Sequence, residues 1–201
     1  MDTKYSIRTK IKEALEENRR ILNFILDSCG DKLIILSEIC IKKLKTDKKI
    51  LLFGNGGSAT QAEHIAAELV GKFYNIRKPL PAIAFSTSSA IITATANDIS
   101  FEDIFSRQIE ALGRKGDIAI GLSTSGNSIN VINAIKKAND LGLYTVALTG
   151  ESGGKLKDIV NLCINVPSHK TPRIQEMHLL IGHILCEIIE YQLFQNYDNL
   201  L

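Results

Sequence analysis

KILLFGNGGSAT, residues 49–60, decides the fold: the apolar run KILLF (49–53) breaks into the small-residue turn GNGGSAT, Gly54 to Thr60, and leads straight into a helix. An unbroken apolar run of this length fits a strand buried on both faces. Small residues let the backbone approach a ligand closely, while the free N–H groups and positive end of the following helix favour an anion.

Working outward, further apolar runs occur at PAIAF (81–85), DIAIGL (117–122), YTVALT (144–149) and LCINV (162–166), with polar turns and helical stretches between them. Such alternation demands a parallel sheet with crossover helices, because parallel strands need long connections and both sheet faces must be covered. Ahead of the first strand, Ile7, Ile11, Leu15, Leu22 and Ile25 mark an amphipathic helix over 6–27, which Gly30 is expected to end; a second helix is expected over 31–44. Two leading helices without a sheet partner suggest an oligomer interface. A last helix is expected from Pro172 to Gln195, with the apolar middle LLIGHILCEIIEYQLF. The expected organisation is one domain, 1–201, with N-terminal helices for oligomerisation over 1–46 and a parallel α/β core with the C-terminal helix over 47–201.

Composition narrows the function classes. A chain of 201 residues with 45% apolar content can bury one sizeable core. Its 24 basic and 22 acidic residues leave a formal charge of +2, which makes no case for nucleic acid or a membrane surface. The cluster Lys42, Lys43, Lys45, Lys48 and Lys49 reads as a solvated helix end. Cys29, Cys40, Cys163 and Cys186 lie far apart, mostly in apolar segments, as core thiols do in a reducing compartment. No stretch approaches the 18 or so apolar residues of a membrane span. A cytoplasmic protein is expected.

Past the third strand comes a second candidate anion loop, STSGNS, Ser123 to Ser128, whose hydroxyls and amides would cradle a phosphate ester without a bulky cation. Ligand crevices of open parallel sheets lie beyond the carboxyl ends of the strands, where both loops sit. Gly54-Asn55-Gly56-Gly57-Ser58 does not give GxGxxG, and no Walker lysine is present, so dinucleotides and nucleotide triphosphates are disfavoured. On the helix after the first loop, His64 and Glu68 are four residues apart and share one face, roughly 9 to 15 Å beyond the loop. An ordinary surface pair would look the same. The distance is nevertheless what a sugar phosphate anchored at one end requires. The final helix adds Gln175, His178 and His183. His183, in LLIGHILC, reads alone as a satisfied core histidine. Eight residues separate it from Gln175, about 12 Å of rise, so one straight helix cannot easily bring both to one point. An irregular helix start or a site shared between subunits would reconcile them, and the latter is preferred.

The combination GNGGS, HxxxE, AND, STSGNS and RIQEMH with His183 resembles the phosphoheptose isomerases of the sugar isomerase (SIS) superfamily. The resemblance runs from the leading helices through the last one. It implies a three-layer α/β sandwich, a five-stranded parallel sheet flanked by helices, preceded by two N-terminal helices. It also implies substrate contacts from Asn55, Gly56, Gly57, Ser58, Glu68, Asn97, Asp98, Ser123, Thr124, Ser125, Ser128 and Gln175. A zinc site of His64, Glu68, Gln175 and His183, one ion per subunit, and a homotetramer with sites at its interfaces are further implications. The implied reaction converts sedoheptulose 7-phosphate into D-glycero-D-manno-heptose 7-phosphate for bacterial surface glycans, with Glu68 the candidate base and His183 the candidate acid. Two rivals share these features: a non-catalytic relative that binds the replication initiator, which lacks the acid and second histidine, and an isomerase of a smaller phosphosugar.

Overall fold

The computed structural model describes residues 3–194. Five parallel strands, β1 (Ile50–Gly54), β2 (Ala82–Ala84), β3 (Ile118–Ser123), β4 (Tyr144–Thr149) and β5 (Leu162–Asn165), form one sheet in the order β2-β1-β3-β4-β5. Each lies within a residue or two of an apolar run in the sequence. Helices cover both faces: α1 (Thr3–Leu44), α2 (Gly57–Val70) and α6 (Thr171–Leu193) on one side, α3 (Ser89–Asp98), α4 (Ser106–Leu112) and α5 (Ile129–Asp140) towards the other. Alternate strand residues divide accordingly. Ile50, Leu52, Ile118, Ile120, Leu122, Val146 and Leu148 pack with α1, α2 and α6, whereas Leu51, Phe53, Ala119 and Ala147 pack with α4 and α5. This is the expected three-layer arrangement.

Both leading stretches are helical, but they run on as one helix of 42 residues. Gly30 is carried inside it. The buried stripe Ile21, Ile25, Cys29, Leu33, Leu36, Cys40, Leu44 keeps helical phase across the glycine, so packing outweighs the roughly 1 kcal/mol that glycine costs in a helix. The expected stripe is only partly buried, since Ile7, Ile11, Leu15 and Leu22 remain exposed. α1 reaches the start of α6 through Glu17 to Lys170 Nζ, 2.8 Å, and the Ala14 carbonyl, which accepts from Arg173. The last helix starts at Thr171, with Pro172 in its first turn where no N–H partner is needed. Its expected end at Gln195 lies outside the described residues.

Two features place a site. β1 and β3 are neighbours while the chain leaves β1 toward β2 on one side and β3 toward β4 on the other, so the strand order reverses between them. Gly54 pairs with Leu122, which starts the loops after β1 and β3 side by side at this switch point. The second feature is Gly182 on α6: a Cβ there would lie 2.5 Å from Ile65 Cδ1. Its absence lets α2 and α6 run side by side in close contact.

Candidate active site

Around the first loop, Gly56 adopts φ 54° and ψ −122°, open only to glycine at little cost, and no side chain caps the start of α2. Asn55 is held by a reciprocal amide pair with Asn130 of α5, 2.8 and 2.9 Å, which fastens the first loop to the helix following the second. Gly54 has no room for a side chain, since a Cβ would meet the Leu122 carbonyl at 2.8 Å and Ser58 Cβ at 2.9 Å. Ser58 is therefore packed beneath the turn, while Gly56 and Gly57 are open.

The second loop is braced from behind. Gly126, at φ 68°, fits against the backbone of Gly153 and Gly154, and its carbonyl accepts from Leu156 N. Asn127 Oδ1 accepts from Lys155 N at 3.0 Å. Gly150 N donates to the Thr124 carbonyl at 3.0 Å. Ser123 and Ser128 hydroxyls lie 2.9 Å apart, and Ser128 occupies the N-cap of α5 without capping it. The Ser128 hydroxyl and the uncapped start of α5 thus lie together on a braced loop, groups of the kind that can hold a phosphate without cations.

Two to three turns along α2, His64 and Glu68 meet His183 of α6. His64 Nε2 lies 2.9 Å from His183 Nε2 and 3.3 Å from Glu68 Oε1. One donor atom from each of the three lies within 4.8 Å of the other two. The histidine rings stand edge to face at 5.0 Å, and Phe73 packs on His183 from another side at 6.0 Å. Two imidazoles and a carboxylate are the donor types of a catalytic zinc site that keeps one position open. By donor chemistry and mutual distance the three residues fit the ion.

α6 is regular from Thr171, so it does not begin irregularly near Gln175, and within one chain His183 already meets His64 and Glu68. Gln175 stands two turns earlier. Its amide lies over Gly57, where a Cβ would be 2.6 Å from Nε2, and its carbonyl accepts from Gln61. Within this chain it therefore faces the first loop, and three of the four expected metal-binding side chains cluster without it. Asn97 and Asp98 end α3, exposed and bonded to each other at 2.7 Å.

Sequence reasoning missed the buried pair behind the cluster. Arg77 Nε donates to Glu190 Oε2 at 2.8 Å, with both side chains almost fully enclosed. An acid within the apolar ILCEIIEYQLF, seven residues past His183 and hence on its face of the helix, was the available signal. Burial pushes the Glu190 carboxyl up, but hydrogen bonds from Arg77, Tyr74 and Asn75 outweigh it and hold the group below its ordinary value.

A doubly wound parallel sheet with two glycine- and serine-rich loops side by side at its switch point defines an α/β class, and residues 15–150 match the family model described as SIS domain. Among curated proteins, the chain is 50% identical to a phosphoheptose isomerase of Aquifex aeolicus over 90% of this chain and 95% of that protein. It is 49% identical to one from Nitratiruptor sp., over 90% and 96%. The solved phosphoheptose isomerase of Neisseria gonorrhoeae superposes with a TM-score of 0.87 at 38% identity, covering 92% of this chain and 98% of that one. The chain belongs to the phosphoheptose isomerase family of SIS-domain proteins.

Proposed function

We infer that this protein interconverts sedoheptulose 7-phosphate and D-glycero-D-manno-heptose 7-phosphate. The observation that carries this reading is the convergence of His64, Glu68 and His183 beside two loops suited to a phosphate ester. Ser123, Thr124, Ser125 and Ser128, with the start of α5, take the phosphate. Asn55, Gly56, Gly57 and Gln175 line the path of the carbon chain, and Asn97 and Asp98 are the remaining sugar contacts. Aldose–ketose interconversion moves one proton from C1 to C2 and another from the C1 hydroxyl to the C2 oxygen. Glu68 carries the first and His183 the second, roles that suit a partly enclosed carboxylate and imidazole. Where Glu68 and His183 instead hold zinc together with His64, the ion would supply Lewis-acid stabilisation of the charge that develops on the oxygens, and a side chain so engaged is the poorer proton carrier.

Support for the wider reading is of a coarser kind. The exposed Ile7, Ile11, Leu15, Phe24 and Leu26 of α1 suit a homotetramer contact. Among the described residues no disulfide joins two cysteines, which suits a reducing cytoplasm. The product would enter nucleotide-activated heptose synthesis for surface glycans. The presence of both Glu68 and His183 favours an enzyme over a binding module.

The test is incubation of purified, metal-analysed protein with sedoheptulose 7-phosphate in deuterated water. The expected result is heptose 7-phosphate carrying solvent deuterium at C2, with turnover lost on chelation and restored by zinc. Binding of the ketose phosphate without conversion by the zinc-loaded protein would overturn it.

A further inference from the structure

We propose that the buried Arg77–Glu190 pair is a positioning unit that fixes α2 against α6 and thereby sets the mutual placement of His64, Glu68 and His183. The proposal rests on the functional reading above.

Arg77 closes the carboxyl end of the helix that carries His64 and Glu68. Its Nη2 donates to the carbonyl of Glu68 itself at 2.9 Å, and its Nη1 donates to the carbonyls of Leu69, 2.9 Å, and Lys78, 3.2 Å. The first two are last-turn carbonyls of α2, which have no partner within the helix, and a cation there also meets the negative end of the helix dipole. Glu190 does the corresponding work on α6. Besides Arg77, its carboxylate accepts from the backbone N–H groups of Phe73, Tyr74 and Asn75 and from the Asn75 amide, at 3.0–3.3 Å. The first of these anchors Phe73, whose ring rests on His183.

A continuous path of contacts follows: Glu68 backbone, Arg77, Glu190 and, two turns back along α6, His183. At the other end of the cluster Gly182 lets Ile65 press directly on α6. The three side chains are thus bracketed by a close van der Waals contact on one side and an ion pair on the other. A buried pair of this kind adds little stability over an apolar pair of equal volume, because desolvating two charges offsets their attraction. What it does supply is direction, since a guanidinium fork and a carboxylate hold their partners at fixed angles.

The decisive comparison is the double variant R77M/E190L, which removes both charges without leaving either one alone in the core. Three quantities are measured: thermal unfolding, zinc affinity of the metal-free protein by competition with a chromophoric chelator, and kcat and KM for sedoheptulose 7-phosphate. The double variant is expected to fold, to bind zinc about 10- to 100-fold more weakly, and to lose kcat by a similar factor. KM should move less than about threefold, because the phosphate loops follow β1 and β3 and do not touch this pair. If the double variant fails to fold, Arg77→Lys carries the same comparison, since an ammonium keeps the charge but cannot fork to a carboxylate and three carbonyls. A folded variant with wild-type zinc affinity and wild-type kcat would overturn the proposal and leave the pair a structural closure of the 71–77 loop. Wild-type protein that binds zinc but does not turn over the sugar would overturn the functional reading alone, and the zinc comparison would then decide the pair.

Discussion

Acidifying the protein from pH 7 to pH 4 should cost it about 3 kcal/mol through one side chain, His178. This imidazole lies on α6 with none of its surface exposed, and Nε2 sits 3.1 Å from the Thr149 carbonyl. A carbonyl only accepts, so Nε2 carries the proton and Nδ1 is bare, with no partner among the described residues. Burial pushes its pKa down from 6.5 to about 4, against the opposing effect of the Thr149 bond. Between those values the unfolded chain binds a proton that the native chain refuses, so stability falls as pH falls through that window and levels off below it. Two and a half units at about 1.4 kcal/mol each give a full effect of about 3.5 kcal/mol, of which about 3 is reached at pH 4, where the native imidazole is half protonated. Urea unfolding at fixed protein concentration, run at half-unit steps from pH 7.5 to 3.5, would measure it against His178→Gln, whose amide can still donate to Thr149. Glu190, whose depressed value loses its contribution only below the ordinary carboxylate range, is common to both proteins and cancels. Parallel curves for wild type and variant would refute the assignment of a neutral, proton-refusing imidazole.

Glu68→Gln and His183→Ala should each lower turnover by about a hundredfold or more, read as kcat on sedoheptulose 7-phosphate, with the circular dichroism spectrum unchanged. Gly126→Ala should destabilise the protein by about 1–3 kcal/mol in denaturant unfolding and raise KM, because φ 68° disfavours any side chain and a Cβ would strike the Gly153–Gly154 backbone that braces the 123–128 loop, the proposed phosphate site.

How far the sequence reaches differs between sheet and site. The strands were legible because parallel strands buried on both faces leave continuous apolar runs, and 144–149 coincides with β4 to the residue. Gly30 misled because a local propensity near 1 kcal/mol was set against seven buried side chains of the same helix, which prevail. At the site, the four-residue spacing of His64 and Glu68 announced their shared face, since that depends only on helix geometry. The histidines of α6 were harder to tell apart. His183, within LLIGHILC, had the more apolar neighbours yet is half-buried against His64, while His178, beside a glutamate and a methionine, is the one enclosed in the core. Neighbours along a helix point in different directions, so local apolarity does not say which face a residue occupies. Arg77 and Glu190 were out of reach for a related reason: their pairing joins positions 113 apart through a turn that no periodicity encodes.

The seam between α2 and α6 also has a consequence for how the molecule is made. A growing chain has all five strands and the loops after β1 and β3 in hand before residue 171, yet the sheet face that α1 and α2 share is incompletely covered until Ile174, Met177, Ile181, Leu185 and Ile189 arrive. The same late segment delivers His183, 119 positions after its partner His64. Completing the apolar core on that face and bringing His183 against His64 are one event.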